Sequence, residues 1–187
     1  MKLTQDESKK LATHAGNLIL ADQKNVFKVA KPKIFEAIES VLRMHFEEER
    51  QIEEAAQKLY QERSSEFEGL QPAKALGRIR TQLANEKDFI LSGGMTGRFS
   101  ADKISHVAHL IADKLYDDDL MDFPDEDDGP KFMKKILTDY FHLENELEEK
   151  VRKKISAMSS PPFEGSRDWD VLFRKYKEEE LKRLGHK

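Results

Sequence analysis

The sequence lacks cysteine altogether and has a single tryptophan among its 187 residues. Without cysteine, the chain can form no disulfide framework, no thiol nucleophile and no cysteine-ligated zinc or iron–sulfur site. No run approaches the roughly 18 consecutive apolar residues of a membrane span, and the N-terminal stretch MKLTQDESKK is too polar for a signal peptide. Gly-rich phosphate loops, nucleophile elbows and zinc-protease motifs are also missing. We therefore expect a soluble, cytoplasmic protein without a cofactor.

Charge is abundant but nearly balanced. Charged residues make up 36% of the chain, with 32 Lys and Arg against 36 Asp and Glu, for a net charge of −4. An acidic total argues against a dedicated nucleic-acid binder. The imbalance is local, because the first 93 residues hold 15 basic and 15 acidic side chains, whereas the remaining 94 hold 17 and 21. The second half therefore carries the whole net charge.

The two halves of the sequence resemble each other at an offset of 95 or 96 residues. Order and spacing are kept over three separate segments, which an accident of composition would not produce. The matched pairs include Leu3-Thr4 with Phe99-Ser100, Val41-Leu42 with Ile136-Leu137, Phe46 with Phe141, Glu49 with Glu144, Glu53-Glu54 with Glu148-Glu149, and Phe67-Glu68-Gly69 with Phe163-Glu164-Gly165. We interpret the pattern as a tandem duplication: a first unit at 1–92, a Gly-rich linker at 93–97, and a second unit at 98–187.

Each half has the pattern of three helices. The first helix would open at Thr4 or Ser100, residues that cap helices well, and the second would be long, over about 33–62 or 131–158. A third helix would follow Pro72 or Ser166. No run has the sustained alternation of a strand, so we predict no sheet. The predicted fold is all-α: two tandem three-helix units packed as a pseudo-two-fold symmetric helical bundle.

Several segments of the second half together form a recognisable pattern. They are Ser105 to Ile111, Asp119-Leu120, Phe123 to Glu126, Tyr140-Phe141, Glu148 to Ile155, Gly165 to Asp170, and Arg174 to Tyr176. In these segments the second half resembles a bacterial family of proteins of unknown function, DUF507. The first half follows the family only in outline. The resemblance implies a small, cytoplasmic, helical protein and assigns no activity.

One candidate metal site lies on the first helix of the second half. His106, His109 and Asp113 are spaced so that their side chains share a helix face, and two imidazoles with a carboxylate are a plausible set of ligands for a divalent metal. The alternative is the flank of an amphipathic helix whose side chains form local hydrogen bonds. The first half has lysine, threonine and asparagine at the matching positions, which favours that alternative.

The connection after each first helix has its own charge. The acidic loop, Asp117 to Asp128, has eight acidic residues in twelve, without the central glycine and closing glutamate of a calcium loop. It is either a solvated loop or a docking element. In a docking element, Leu120 and Phe123 would anchor the loop while acids such as Asp125 and Glu126 select a basic surface. The matching basic loop, 21–34, carries Lys24, Lys28, Lys31 and Lys33. The two loops could face each other or bind separate partners.

A final candidate is the corner that begins the last helix. Arg167, Trp169 and Arg174 are residue types enriched at binding hot spots, whereas a tryptophan here could equally anchor the core. We predict a non-catalytic scaffold or protein-interaction protein with an unidentified protein partner. The chain would not contact a membrane, and would be a monomer with internal pseudo-symmetry or a weak homo-oligomer. The alternatives are a metal-dependent enzyme using His106, His109 and Asp113, and a nucleic-acid- or ribosome-associated factor.

Overall fold

A computed structural model of the protein describes residues 5–92, 99–125 and 127–183. Six α-helices dominate these residues, so the all-α prediction is confirmed. Two very short strands and one 3-10 turn, Ser64–Phe67, complete the regular structure of this part of the chain. The elements are α1 Gln5–Ala21, β1 Val26–Phe27, α2 Lys31–Glu62, α3 Pro72–Glu86, α4 Ala101–Asp117, β2 Met121–Asp122, α5 Asp128–Ser156 and α6 Arg167–Arg183.

Several helices begin at residues that favour a helix N-terminus. The Ser100 hydroxyl accepts a hydrogen bond from the backbone N–H of Lys103 at 3.2 Å, and Ser166 does the same for Trp169 at 3.3 Å. Pro72 opens α3, where its missing N–H costs no hydrogen bond. The predicted cap Thr4 lies outside the described residues.

The prediction that there is no sheet is wrong at one place. β1 and β2 pair antiparallel, with Val26 opposite Asp122 and Phe27 opposite Met121. The backbone N–H of Lys28 extends this pairing by donating to the Leu120 carbonyl at 3.0 Å. A ladder of two residues per strand is too short to show an alternating pattern, so the sequence carries no signal for it.

Contacts divide the chain into two compact units, Met1–Thr138 and Asp139–Lys187. In the first unit, α2 is central and packs against α1, α3 and α4. The helices α1 and α2 approach closely at Gly16, where an added Cβ would lie only 2.5 Å from ring atoms of Phe35. Side chains buried in this unit include Leu11, Ile38, Leu42, Ile111, Leu115 and Leu137.

The second unit comprises the C-terminal part of α5 and the whole of α6. Its core is formed by Val151, Ile155 and Phe173, with Trp169 and Tyr176 packed against them. The boundaries predicted from the repeat differ from this division by contacts. They rest on sequence similarity and stay a prediction, and the predicted linker at 93–97 lies outside the described residues.

Candidate functional site

The three predicted metal ligands do not share one site. His109 and Asp113 are exposed, and the Nδ1 atom of His109 lies 2.8 Å from the carbonyl oxygen of Ser105. The half-buried ring of His106 instead lies beside His45 of α2, with 5.5 Å between ring centroids. In the part of the chain that the structure describes, no three His, Asp or Glu side chains are placed to hold a metal ion.

A buried charged cluster lies where α2 meets α4. Glu49 of α2 forms an ion pair with Lys103 of α4, whose side chain is wholly buried. The same carboxylate accepts two hydrogen bonds from Ser92, one from its backbone N–H at 2.9 Å and one from its hydroxyl at 2.7 Å. One glutamate therefore ties together α2, the first turn of α4 and the end of the segment that follows α3.

Aromatic rings surround this ion pair. The Lys103 ammonium lies 4.9 Å from the ring centroid of Phe89 and 5.1 Å from that of Phe99, within the range of cation–π attraction. His45 stacks on Phe89 at 4.6 Å between centroids. Its Nε2 atom is buried and has no hydrogen-bond partner among the described residues. The pair is thus shielded from water on several sides.

This environment shifts three pKa values. Burial, together with the nearby charge of Lys103, lowers the pKa of His45 to about 4, so the imidazole is neutral at pH 7. Burial also lowers the pKa of Lys103, and its ion pair with Glu49 offsets only part of that effect. Burial raises the pKa of Glu49, but the hydrogen bonds from Lys103 and Ser92 outweigh it and leave the pKa below its ordinary value.

The cluster holds helices together. Lys103 has no exposed surface, so its amine cannot reach a ligand in solution. Sequence reasoning missed the cluster, although a signal was there. His45 and Glu49 continue the apolar stripe of α2 that runs through Ile38, Leu42 and Ile52, and Lys103 lies one turn before the buried Val107 of α4. Charged residues on a buried stripe indicate a buried pair.

The acidic and basic loops meet. Lys28 forms ion pairs with Asp119 at 2.6 Å and Asp122 at 2.8 Å, and its hydrogen bond to Asp119 is the main reason that its pKa is raised. The other predicted basic residues, Lys24, Lys31 and Lys33, are exposed.

The acidic loop is anchored on the two helices that flank it, α4 and α5. The Phe123 ring packs on the buried Gly129, where an added Cβ would lie 2.7 Å from ring atoms. Leu120 is half-buried and its backbone N–H donates to the Leu115 carbonyl at 3.0 Å. Asp125 is exposed and accepts a hydrogen bond from the backbone N–H of Asp127 at 3.2 Å. Glu126 lies outside the described residues.

The predicted corner at the start of α6 is partly built into the second unit. Trp169 stacks on Phe173 with 4.6 Å between ring centroids, and the guanidinium of Arg152 lies 5.6 Å from the tryptophan ring. Arg167 and Arg174 are exposed. The cation over the tryptophan is thus Arg152 from α5, a residue that the sequence analysis did not single out at this site.

An exposed aromatic side chain lies at the turn between α5 and α6. Phe163 follows Pro161 and Pro162, and 86% of its surface is exposed. Its neighbour Glu164 forms an ion pair with Arg152, and the Phe163 carbonyl accepts a hydrogen bond from the backbone N–H of Ser166 at 3.0 Å. In the sequence analysis Phe163 was named only as a member of the repeat. Its position after two prolines in a loop was a signal that its ring could be exposed.

The fold and these sites define an all-α protein in which a buried ion pair fixes the helices and an aromatic tip faces solvent. The chain belongs to the family described as a protein of unknown function (DUF507), whose model matches residues 1–186. No curated protein matches the sequence. Among the described residues, none of the helices combines the length and the apolar character needed to cross a bilayer.

Proposed function

We propose that the protein is a non-catalytic helical interaction protein whose protein partner binds the turn between α5 and α6. We call this turn, residues 157–166, the hairpin tip. The observation that carries the proposal is the exposure of Phe163, since an aromatic ring that faces solvent is available to a partner and aromatic residues are enriched at protein interfaces.

The hairpin tip is held in a defined conformation. The ion pair between Arg152 and Glu164 ties the residue after Phe163 to α5, and Arg152 also lies over the Trp169–Phe173 stack. Ordering of this kind lowers the entropy lost on binding. The predicted interaction residues Arg167, Trp169 and Arg174 begin the adjoining helix, and arginine and tryptophan are frequent hot-spot residues.

The groups that could perform chemistry support an interaction role over an enzyme. The buried amine and carboxylate of Lys103 and Glu49 neutralise each other away from solvent. A cytoplasmic location remains a prediction from the sequence.

A photo-crosslinking experiment tests the proposal. Benzoylphenylalanine placed at Phe163 should form a discrete adduct in native lysate, and the same group at Val171, which is 56% exposed on α6, should form little. Excess unlabelled protein should compete for the adduct, whereas excess Phe163→Ala protein should not. Equal crosslinking at both positions, or competition by the Phe163→Ala protein, would contradict the proposal.

We also infer that the chain arose by tandem duplication and packs with local two-fold symmetry. In each half a long second helix lies between two shorter ones, with 17, 32 and 15 residues in α1 to α3 and 17, 29 and 17 in α4 to α6. The repeated Phe-Glu-Gly segments both end in a glycine at positive φ, 82° at Gly69 and 88° at Gly165.

The strand pairing also supports the symmetry. β1 and β2 are themselves 95 residues apart, and each residue pairs with the counterpart of its neighbour, as in an isologous dimer. Residues 1–92 and 98–187 produced as separate chains should therefore form a one-to-one complex. Two independently folded monomers would contradict the inference.

A further inference from the structure

The outer face of α3 carries an excess of positive charge. Residues 69–85 form the longest stretch of the sequence without Asp or Glu, and they carry Lys74, Arg78 and Arg80. In a chain with 36 acidic residues and a net charge of −4, such a stretch is a local excess of basic residues.

The polar side chains of this stretch lie on one exposed face. Lys74, Arg78, Thr81 and Asn85 are exposed and follow each other at spacings of three and four residues. They line a shallow groove of about 880 Å³, whose floor is open at Gly77 because an added Cβ there would meet nothing within 4 Å. We call this surface the α3 face.

Its two outermost cations are available to a ligand. Among the described residues, neither Lys74 nor Arg78 has an ion-pair partner, whereas Arg80 is engaged with Glu53 at 3.2 Å. The first turn of α3 contains no acidic residue, and its cap Gln71 makes no side-chain hydrogen bond. The positive end of the helix dipole therefore adds to the charge of Lys74.

We propose that the α3 face binds the phosphate backbone of a nucleic acid. Phosphate oxygens are contacted mainly by Lys, Arg, Ser, Thr, Asn and Gln side chains, which are the types present here. From Lys74 to Asn85 the helix axis advances about 16 Å, the axial length of about five nucleotides of one strand. The contacts are independent of base sequence.

The composition of the face favours a nucleic acid over an acidic protein. Protein interfaces are centred on buried aromatic, methionine or aliphatic anchors. The groove on α3 is lined by no aromatic, methionine or aliphatic side chain. Its single carboxylate, Glu86 at the C-terminal end of α3, accepts a hydrogen bond from the side-chain amide of Gln82 at 2.9 Å. A phosphate backbone needs no such anchor, since counterion release supplies the binding free energy.

Fluorescence anisotropy with labelled RNA tests this site. The probes are a duplex of about 20 base pairs and a single strand of the same length, titrated between about 50 and 200 mM salt. Binding should weaken with salt, and two phosphate contacts predict a slope of log affinity against log salt of about −1.8 for the duplex and about −1.4 for the single strand. The double variant Lys74→Ala/Arg78→Ala should remove that dependence and most of the binding.

A matched variant separates the site from total charge. Lys24→Ala/Lys33→Ala removes two exposed cations from the basic loop and should keep the affinity and slope of the parent protein. Circular dichroism should show the same helicity for all proteins. The proposal fails if the parent protein does not bind RNA at the lowest salt, if both double variants lose affinity equally, or if polyglutamate binds as well as RNA. None of these outcomes depends on the hairpin tip.

Discussion

Glu49 and Glu144 occupy matching positions of the predicted repeat, and each forms an ion pair with a lysine of another helix. The pair of Glu49 with Lys103 is buried, with 9% and 0% of the side chains exposed. Glu144 pairs with Lys177 at 2.7 Å, and Glu148 contacts the same lysine at 3.3 Å, with 11% to 21% of these side chains exposed.

The two lysines show how carboxylate number and burial compete. Burial acts to lower the pKa of both. For Lys177, two carboxylates outweigh burial and the pKa is raised, whereas for Lys103 a single carboxylate does not, and the pKa is lowered. Removing one partner should therefore destabilise the fold more at Glu49 and Lys103 than at Lys177, because water cannot reach the buried charge that is left.

Removing the lysine from each cluster should give the largest difference between them. Lys103→Met should lower the free energy of unfolding by about 3–5 kcal/mol, since Glu49 would be left buried and uncompensated. Lys177→Met should cost about 1–2 kcal/mol, because its carboxylates are partly hydrated. Urea unfolding followed by circular dichroism measures both.

A double variant checks the cause of the larger loss. Replacing the buried pair by Lys103→Met with Glu49→Leu should recover much of the stability lost in Lys103→Met alone, because no unpaired charge remains. If the double variant is as unstable as the single one, lost packing and not the stranded carboxylate dominates. Equal losses for Lys103→Met and Lys177→Met would remove the distinction between the clusters.

The next effect concerns His45, whose counterpart at the offset of 95 is Tyr140. In the unfolded chain a histidine has a pKa near 6.5, whereas burial beside Lys103 lowers the pKa of His45 to about 4 in the fold. The unfolded state therefore binds the proton first as the pH falls. Stability from this residue is complete above about pH 6.5 and declines toward pH 4, by up to about 3 kcal/mol.

Unfolding free energies measured between about pH 6.5 and pH 4 should show the decline. The His45→Leu variant should show a smaller decline over the same range, even if it is less stable than the parent protein at pH 7. The exposed His142 offers the control, because His142→Gln should leave the slope unchanged. His106 and Glu49 also face the ring of His45, and both remain in the His45→Leu protein. An unaltered slope in His45→Leu would assign the decline to one of them.

Helix order and the long second helix of each half could be predicted from the sequence because they depend on local patterns. Apolar residues at spacings of three and four mark a helix, and Ser100, Ser166 and Pro72 mark where helices begin. The pairing of β1 with β2 could not be predicted, since it joins two-residue segments far apart in the chain.

The candidate sites divide in the same way. The sequence alone identified Trp169 and the oppositely charged loops as candidate sites, but it did not show which residues they contact. Arg152 lies over Trp169 from another helix, and Lys28 contacts Asp119 across 91 residues. Lys103 and Glu49 were not predicted as a site, because the sequence does not show that a charge on an apolar stripe has a partner opposite.

The smallest predicted difference concerns the repeated Phe-Glu-Gly segments. Phe67 is half-buried and contacts Tyr60 with 5.9 Å between ring centroids, whereas Phe163 is 86% exposed. Phe67→Ala should therefore lower the free energy of unfolding by about 1–2 kcal/mol, and Phe163→Ala should change it by less than about 0.5 kcal/mol. Urea unfolding of the two variants measures the difference. A loss of more than about 1 kcal/mol in Phe163→Ala would mean that this ring supports the fold. If Phe163→Ala is as stable as the parent protein, its failure to compete in the crosslinking experiment can be assigned to the missing ring and not to unfolding.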